Sequence, residues 1–124
     1  PELLLLIWAP LNYPDLAIKV LKMIPQYVPH VHFGDLDSSG LALAEHIAEE
    51  TGRPVRRFLP EFWQEYVNEY AQPCADNAVK GCSWQQAISS NALIRKLMLR
   101  KEWLPQSSVL LDPRLRNELS AIMN

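Results

Sequence analysis

The densest run of residues able to do chemistry is Gly34-Asp35-Leu36-Asp37-Ser38-Ser39-Gly40. In an extended segment residues i and i+2 project to the same side, so Asp35 and Asp37 can face one ion or one phosphate together. Like charges that close repel unless a cation sits between them. Hard oxygen donors suit Mg²⁺ or Mn²⁺, and Mg²⁺ takes one or two carboxylates while keeping water and substrate phosphate in its other positions. Asp35 and Asp37 are therefore the candidate metal ligands and the candidate catalytic pair. A helix starting at Ser38 or Ser39 would aim its N-terminal N–H groups and positive dipole end at the same place. That makes Gly34, Ser38, Ser39 and Gly40 candidate phosphate-binding residues, with Gly34 allowing close backbone approach and Gly40 leaving the first turn uncrowded. The structural alternative is a helix cap beside a solvated loop acid.

These residues need elements to place them. Residues 3–9 form a continuous apolar run closed by Pro10 and Asn12, which predicts a strand buried on both faces and so a parallel sheet. From Pro14 the period becomes helical, with Leu16, Ile18, Val20, Leu21 and Ile24 on the repeat and Pro25 as the stop. Residues 31–37 read as the second strand, running into the acidic pair. A helix follows, capped by Ser38 or Ser39 and ended by Gly52 and Pro54. Residues 55–59 read as the third strand. A βαβαβ core over residues 1–60 places Asp35 and Asp37 at the carboxyl edge of a mostly parallel sheet flanked by helices, where such folds carry their sites.

Residues 61–124 read as a mainly helical extension of the same single domain. Phe62, Trp63, Tyr66, Val67 and Tyr70 mark an amphipathic helix, and 72–83 a loop. Residues 84–103 are helical with a break and new cap at Ser89-Ser90-Asn91, and a last helix runs from 112 to 122.

The composition limits the function classes. A chain of 124 residues, 48% apolar, suits one compact domain, and a net charge of -2 excludes the strong positive field of a general nucleic-acid coat. The apolar run 3–10 falls well short of the roughly 20 residues of a membrane span. Two cysteines separated by seven residues lack zinc-site spacing, so Cys74 and Cys82 read as unconnected thiols in a reducing, cytoplasmic setting. The opening on Pro1, directly into a strand-like run, reads as an excised domain.

Other groups are given structural readings. His30 and His32 alternate on a strand and are expected to find backbone partners. Arg53, Arg56 and Arg57 could line a phosphate path or be solvated strand-end charges. Arg95, Lys96, Arg100 and Lys101 read as a solvated helix surface rather than a DNA track, since only Lys96 and Arg100 share a face. The aromatic residues at 62–70 read as core rather than as a base-stacking platform.

Three segments together carry a family likeness: Leu5-Ile7-Trp8, then His32-Phe33-Gly34-Asp35-Leu36-Asp37-Ser38-Ser39-Gly40-Leu41, then Gly52-Arg53-Pro54-Val55. They resemble the TOPRIM domain at the C-terminal end of the Wadjet JetD-like proteins, relatives of the topoisomerase VI A subunit. The match covers about the first 60 residues. Later, Trp103-Leu104-Pro105-Gln106-Ser107 looks like that family's Trp-Leu-Glu-Gln-Glu segment with both acids replaced, which puts an acidic role there in doubt. The resemblance implies a Rossmann-like TOPRIM fold in which Asp35 and Asp37 hold Mg²⁺ or Mn²⁺ for cleavage of DNA. It also implies a catalytic Glu on a strand upstream of residues 3–9, and no residue of this chain corresponds to it. On that basis the chain should bind metal weakly, cleave nothing alone, act on DNA only through a full-length protein, and dimerise or rearrange to cover its sheet edges.

Two other function classes compete. In a haloacid-dehalogenase-like phosphohydrolase Asp35 would be the nucleophile and Asp37 the acid/base, but that class needs a downstream Lys and a later acidic pair. Lys80 is available, whereas Asp76 and Asp112 stand alone and no Gly-Thr follows Asp37. The third class is a non-catalytic α/β interaction module with a vestigial acidic edge.

Overall fold

The computed structural model describes residues 5–10, 12–74 and 91–123. The first helix, α1 (Asp15–Met23), starts on Pro14, carries Asp15 in its first turn and Lys22 in its last, and stops where Pro25 forces Ile24 into an extended conformation. The chain then enters β1 (His30–His32), crosses through α2 (Ser38–Thr51) and returns as β2 (Val55–Arg57), paired parallel to β1 with His30 opposite Val55 and His32 opposite Arg57. Gly52 ends α2 in the left-handed conformation (φ 66°), its N–H bonded back to the last turn of the helix. This strand–helix–strand unit is the part of the α/β expectation that the fold bears out.

The second half holds α3 (Trp63–Tyr70), β3 (Gln72–Pro73), α4 (Ala92–Arg100), β4 (Glu102–Trp103), a 3-10 turn at Gln106–Ser108 and α5 (Leu115–Met123). The predicted cap near residue 90 is Asn91, whose side chain accepts hydrogen bonds from the N–H groups of Leu93 and Ile94. Lys101 closes α4 in the left-handed region (φ 52°) and turns the chain into β4, antiparallel to β3. Residues 72–73 and 102–103, expected as loop and helix, thus form a short ladder. Residues 84–90 of the expected helix lie outside the described residues.

Trp63, Val67, Ile94, Leu97, Leu104 and Val109 are all but fully buried and, with Leu36, Leu41 and Phe58, make one core. Phe33, Phe58 and Trp63 meet in that core with ring centroids 5.3–5.7 Å apart, which ties the end of β1 to β2 and α3. The aromatic run at 62–70 is only partly core: Phe62 and Trp63 are buried, whereas Tyr70 is exposed. α1 packs on α2 at one side of this unit.

Two expectations about the sheet fail. Residues 5–10 take no regular structure, and Leu6 and Trp8 are 83% and 85% exposed rather than buried on both faces. An apolar run records a preference for burial but supplies no partner for its backbone. Among the described residues neither β1 nor β2 pairs with a third strand. β1 is also shorter than predicted, ending at His32. Beyond it the chain leaves β2: Leu36 exchanges two hydrogen bonds with Leu104 instead, at 2.9 and 3.1 Å.

Candidate functional site

Asp35 and Asp37 lie just past the carboxyl end of β1 and at the start of α2. Leu36 between them is buried against the core, while Asp35 is exposed and Asp37 half-buried. That alternation is what extended backbone imposes. Each has a defined partner. Asp37 is the N-cap of α2, its Oδ1 accepting the N–H of Gly40 at 2.6 Å; Asp35 Oδ1 accepts the N–H of Gln106 at 2.7 Å. The cap expected of Ser38 or Ser39 is therefore supplied by Asp37, and the two serines form the first turn of the helix. An aspartate whose extended backbone precedes the turn, as here (φ -138°, ψ 172°), can reach that N–H with its side chain.

Burial pushes the Asp37 carboxyl above its ordinary value. The Gly40 N–H pulls the other way, and the negative charge of Asp35 adds to the rise. Neither Oδ2 takes part in a hydrogen bond or ion pair among the described residues. Two carboxylates are as many as Mg²⁺ ordinarily takes from a protein. Among the described residues no group of three or more His, Cys, Asp or Glu side chains surrounds a common point, so Asp35 and Asp37 would have to hold such an ion with water and phosphate alone.

Gly40 keeps the first turn uncrowded, as expected, but both glycines face protein atoms. A Cβ on Gly40 would lie 2.6 Å from the carbonyl oxygen of Asp35 and 3.1 Å from Asp37 Oδ1, so glycine lets α2 start directly against the acidic loop. Its N–H belongs to Asp37 and is not offered to a phosphate. Gly34 packs on the imidazole of His32, with ring atoms 3.1 and 3.2 Å from where a Cβ would sit. Close approach is needed at both glycines, but to protein atoms.

The segment 104–106 completes the site from the far end of the sequence. Besides the Leu36–Leu104 pair of bonds and the Asp35–Gln106 bond, the Gln106 side-chain amide donates to the Phe33 carbonyl at 3.4 Å. Four hydrogen bonds thus hold 33–36 to 104–106. Spacing gave no sign of this contact across 71 residues; only the family likeness singled out residues 103–107.

Several neighbouring groups are structural. Arg53 donates to the carbonyls of Leu21, Ile24, Pro25 and Val28 and so closes the turn after α1. Arg56 donates to the Ile122 carbonyl and Arg57 pairs with Glu45 at 2.7 Å. None of the three arginines is left lining a phosphate path. Lys96 bonds Asn68, and Arg100 lies 2.9 Å from Glu102. Asp112 is held by Arg114 and by the hydroxyl of Tyr66, which removes it as a metal ligand; Asp76 and Lys80 lie outside the described residues.

The histidines and cysteines differ from expectation. His30 is buried with neither ring nitrogen hydrogen-bonded among the described residues, and burial and then the Arg53 charge lower its pKa. Burial, followed by the Arg57 charge, lowers that of His32 in the same way. Cys74 is disulfide-bonded, so it is not the unconnected thiol expected; Cys82 lies outside the described residues. Among the described residues no helix is long and apolar enough to cross a membrane. No protein-family model matches the chain, and neither the curated proteins nor the solved structures contain a match to it.

Proposed function

We propose that the chain is the metal-carrying part of a TOPRIM-type, divalent-metal-dependent DNA-cleaving protein, with a Rossmann-like core and with Asp35 and Asp37 holding Mg²⁺ or Mn²⁺. The observation that carries this reading is the placement of Asp35 and the half-buried Asp37 around the buried Leu36, just past the carboxyl end of a parallel strand and at the start of α2, where burial raises the Asp37 pKa against the pull of the Gly40 N–H, with the Asp35 charge adding to the rise. The parallel strand–helix–strand unit that presents the pair supports it. So does the docking of residues 104–106, which stand where the likeness places its second motif, onto the first motif at 33–36.

When bound, the ion would stabilise charge on the leaving or non-bridging oxygen of a phosphodiester. The chain's own part is to hold its two ligands: the start of α2 fixes Asp37 through Gly40, and the turn at 106 fixes Asp35. In this reading the chain by itself binds the ion without cutting. Gripping the duplex falls to other domains or to a second copy.

Mn²⁺ titration followed by the electron paramagnetic resonance of the free ion tests the reading. Saturable binding by the wild type, lost when Asp35→Asn is combined with Asp37→Asn, is expected; DNA cleavage by the chain alone in Mn²⁺ would contradict the assignment of the missing Glu. A non-catalytic α/β interaction module is the second reading, favoured by the intramolecular hydrogen bond each carboxylate already makes. Absence of Mn²⁺ binding selects it.

A further inference from the structure

The two acids of the site are held very differently. Asp37 is fixed locally, three residues from its partner Gly40, whereas Asp35 is exposed and its one side-chain hydrogen bond among the described residues reaches Gln106, 71 residues away. The orientation of Asp35 is thus set by a turn in the other half of the molecule. That turn has its own anchors: Leu104 is 1% exposed and exchanges two hydrogen bonds with Leu36, and Ser108 and Val109 donate back to Pro105 and Gln106. The Gln106 N–H, the first of the 3-10 turn, has no other acceptor among the described residues, as expected of a helix-start donor.

We propose that the main-chain N–H of Gln106 is a positioning group for Asp35, so that the turn at 105–108 sets the metal affinity of the acidic pair. The inference rests on the metal reading above. Outer groups that hydrogen-bond a ligating carboxylate fix its direction, and their loss typically costs about tenfold to a hundredfold in metal affinity. Here the group is backbone, so replacing the Gln106 side chain leaves it in place.

Gln106→Pro isolates the donor. Proline is well tolerated at the first position of a helical turn, and Pro105 before it already has the extended backbone (φ -64°, ψ 135°) that a following proline requires. Gln106→Ala removes the side-chain bond to Phe33 and keeps the N–H. Mn²⁺ binding is measured on the full chain for wild type and both variants, with thermal unfolding as the check on the fold. Gln106→Pro is expected to weaken binding about tenfold or more, with Gln106→Ala close to wild type. Equal or tighter binding by Gln106→Pro overturns the inference, because the N–H would then only compete with the ion for Asp35.

Should Gln106→Pro fail to fold, the amide proton of Gln106 in the wild type is followed by NMR during Mg²⁺ titration. Its resonance is expected to move with the binding midpoint and to stay fixed in Asp35→Ala; a resonance that ignores Mg²⁺ in the wild type overturns the inference. Wild type that binds no Mn²⁺ at all sinks the metal reading and this inference with it, an outcome separate from equal binding by wild type and variant.

Discussion

Gly40 is the sharpest test of how the acidic loop meets α2. Glycine inside a helix is normally a weakness, and its replacement by alanine normally stabilises by about 1 kcal/mol. Here the sign should reverse. The added Cβ would lie 2.6 Å from the Asp35 carbonyl oxygen, and even reaching a separation of 3.0 Å, below which real Cβ contacts are essentially never seen, demands a shift of about 0.4 Å between two backbone segments. Overpacking of this kind costs about 1–3 kcal/mol, and the same shift lengthens the 2.6 Å cap from Gly40 to Asp37, a bond worth about 1 kcal/mol. Set against the helix-propensity gain, Gly40→Ala should destabilise by about 1–3 kcal/mol. In thermal denaturation this appears as a fall in Tm of about 4 °C per kcal/mol. Gly52→Ala provides the comparison: no atom of the described residues lies within 4 Å of its Cβ position, so its loss reflects only the left-handed backbone at φ 66°, about 1 kcal/mol. A Gly40→Ala protein as stable as wild type, or more so, would refute the close contact and the description of the loop built on it.

Asp37→Asn should leave stability at pH 7 unchanged or slightly raised, because asparagine caps a helix as well as aspartate does and the opposed ionisation is gone; Asp37→Ala should lose about 1 kcal/mol in urea denaturation, while both lose Mn²⁺ binding. The lowered pKa of His30 makes stability complete above its ordinary value of 6.5 and diminishing as pH falls below it towards the folded value. Tm should therefore fall as pH drops below about 6.5, and less steeply in His30→Leu, where His32 keeps a slope of the same sign. Arg114 bonds Glu65 and the buried Asp112 and lies 4.4 Å from the centre of the Phe62 ring, so Arg114→Ala should lower Tm and Arg114→Lys should restore only part of it, since lysine cannot make the two-pronged contacts. Asp112 is held well below the ordinary carboxylate range by Arg114 and Tyr66. Its stabilisation is present above pH 3.8 and lost as pH falls towards the folded value, and Arg114→Ala should flatten the wild-type decline in strong acid.

Local chemistry was readable from the chain wherever a residue's own backbone or nearest neighbours decide the outcome. Pro25 stops α1, Gly52 and Pro54 end α2, and Asn91 starts α4, because each acts on groups within a few residues of itself. The alternation of Asp35, Leu36 and Asp37 about the core was legible for the same reason: the pleat is a property of the backbone alone. What needed the tertiary structure was every pairing between distant segments. Residues 3–9 carry the hydrophobicity of a buried strand, yet residues 5–10 have no strand beside them among the described residues, and burial preference does not name a partner. His32 and Leu36 read as one continuous strand, but only the approach of Leu104 shows why pairing with β2 ends and a second attachment begins. The hold of Gln106 on Asp35 runs through a backbone N–H that every residue except proline possesses, so no choice of side chain could announce it, and it exists only because the folded core brings two loops 71 residues apart into register.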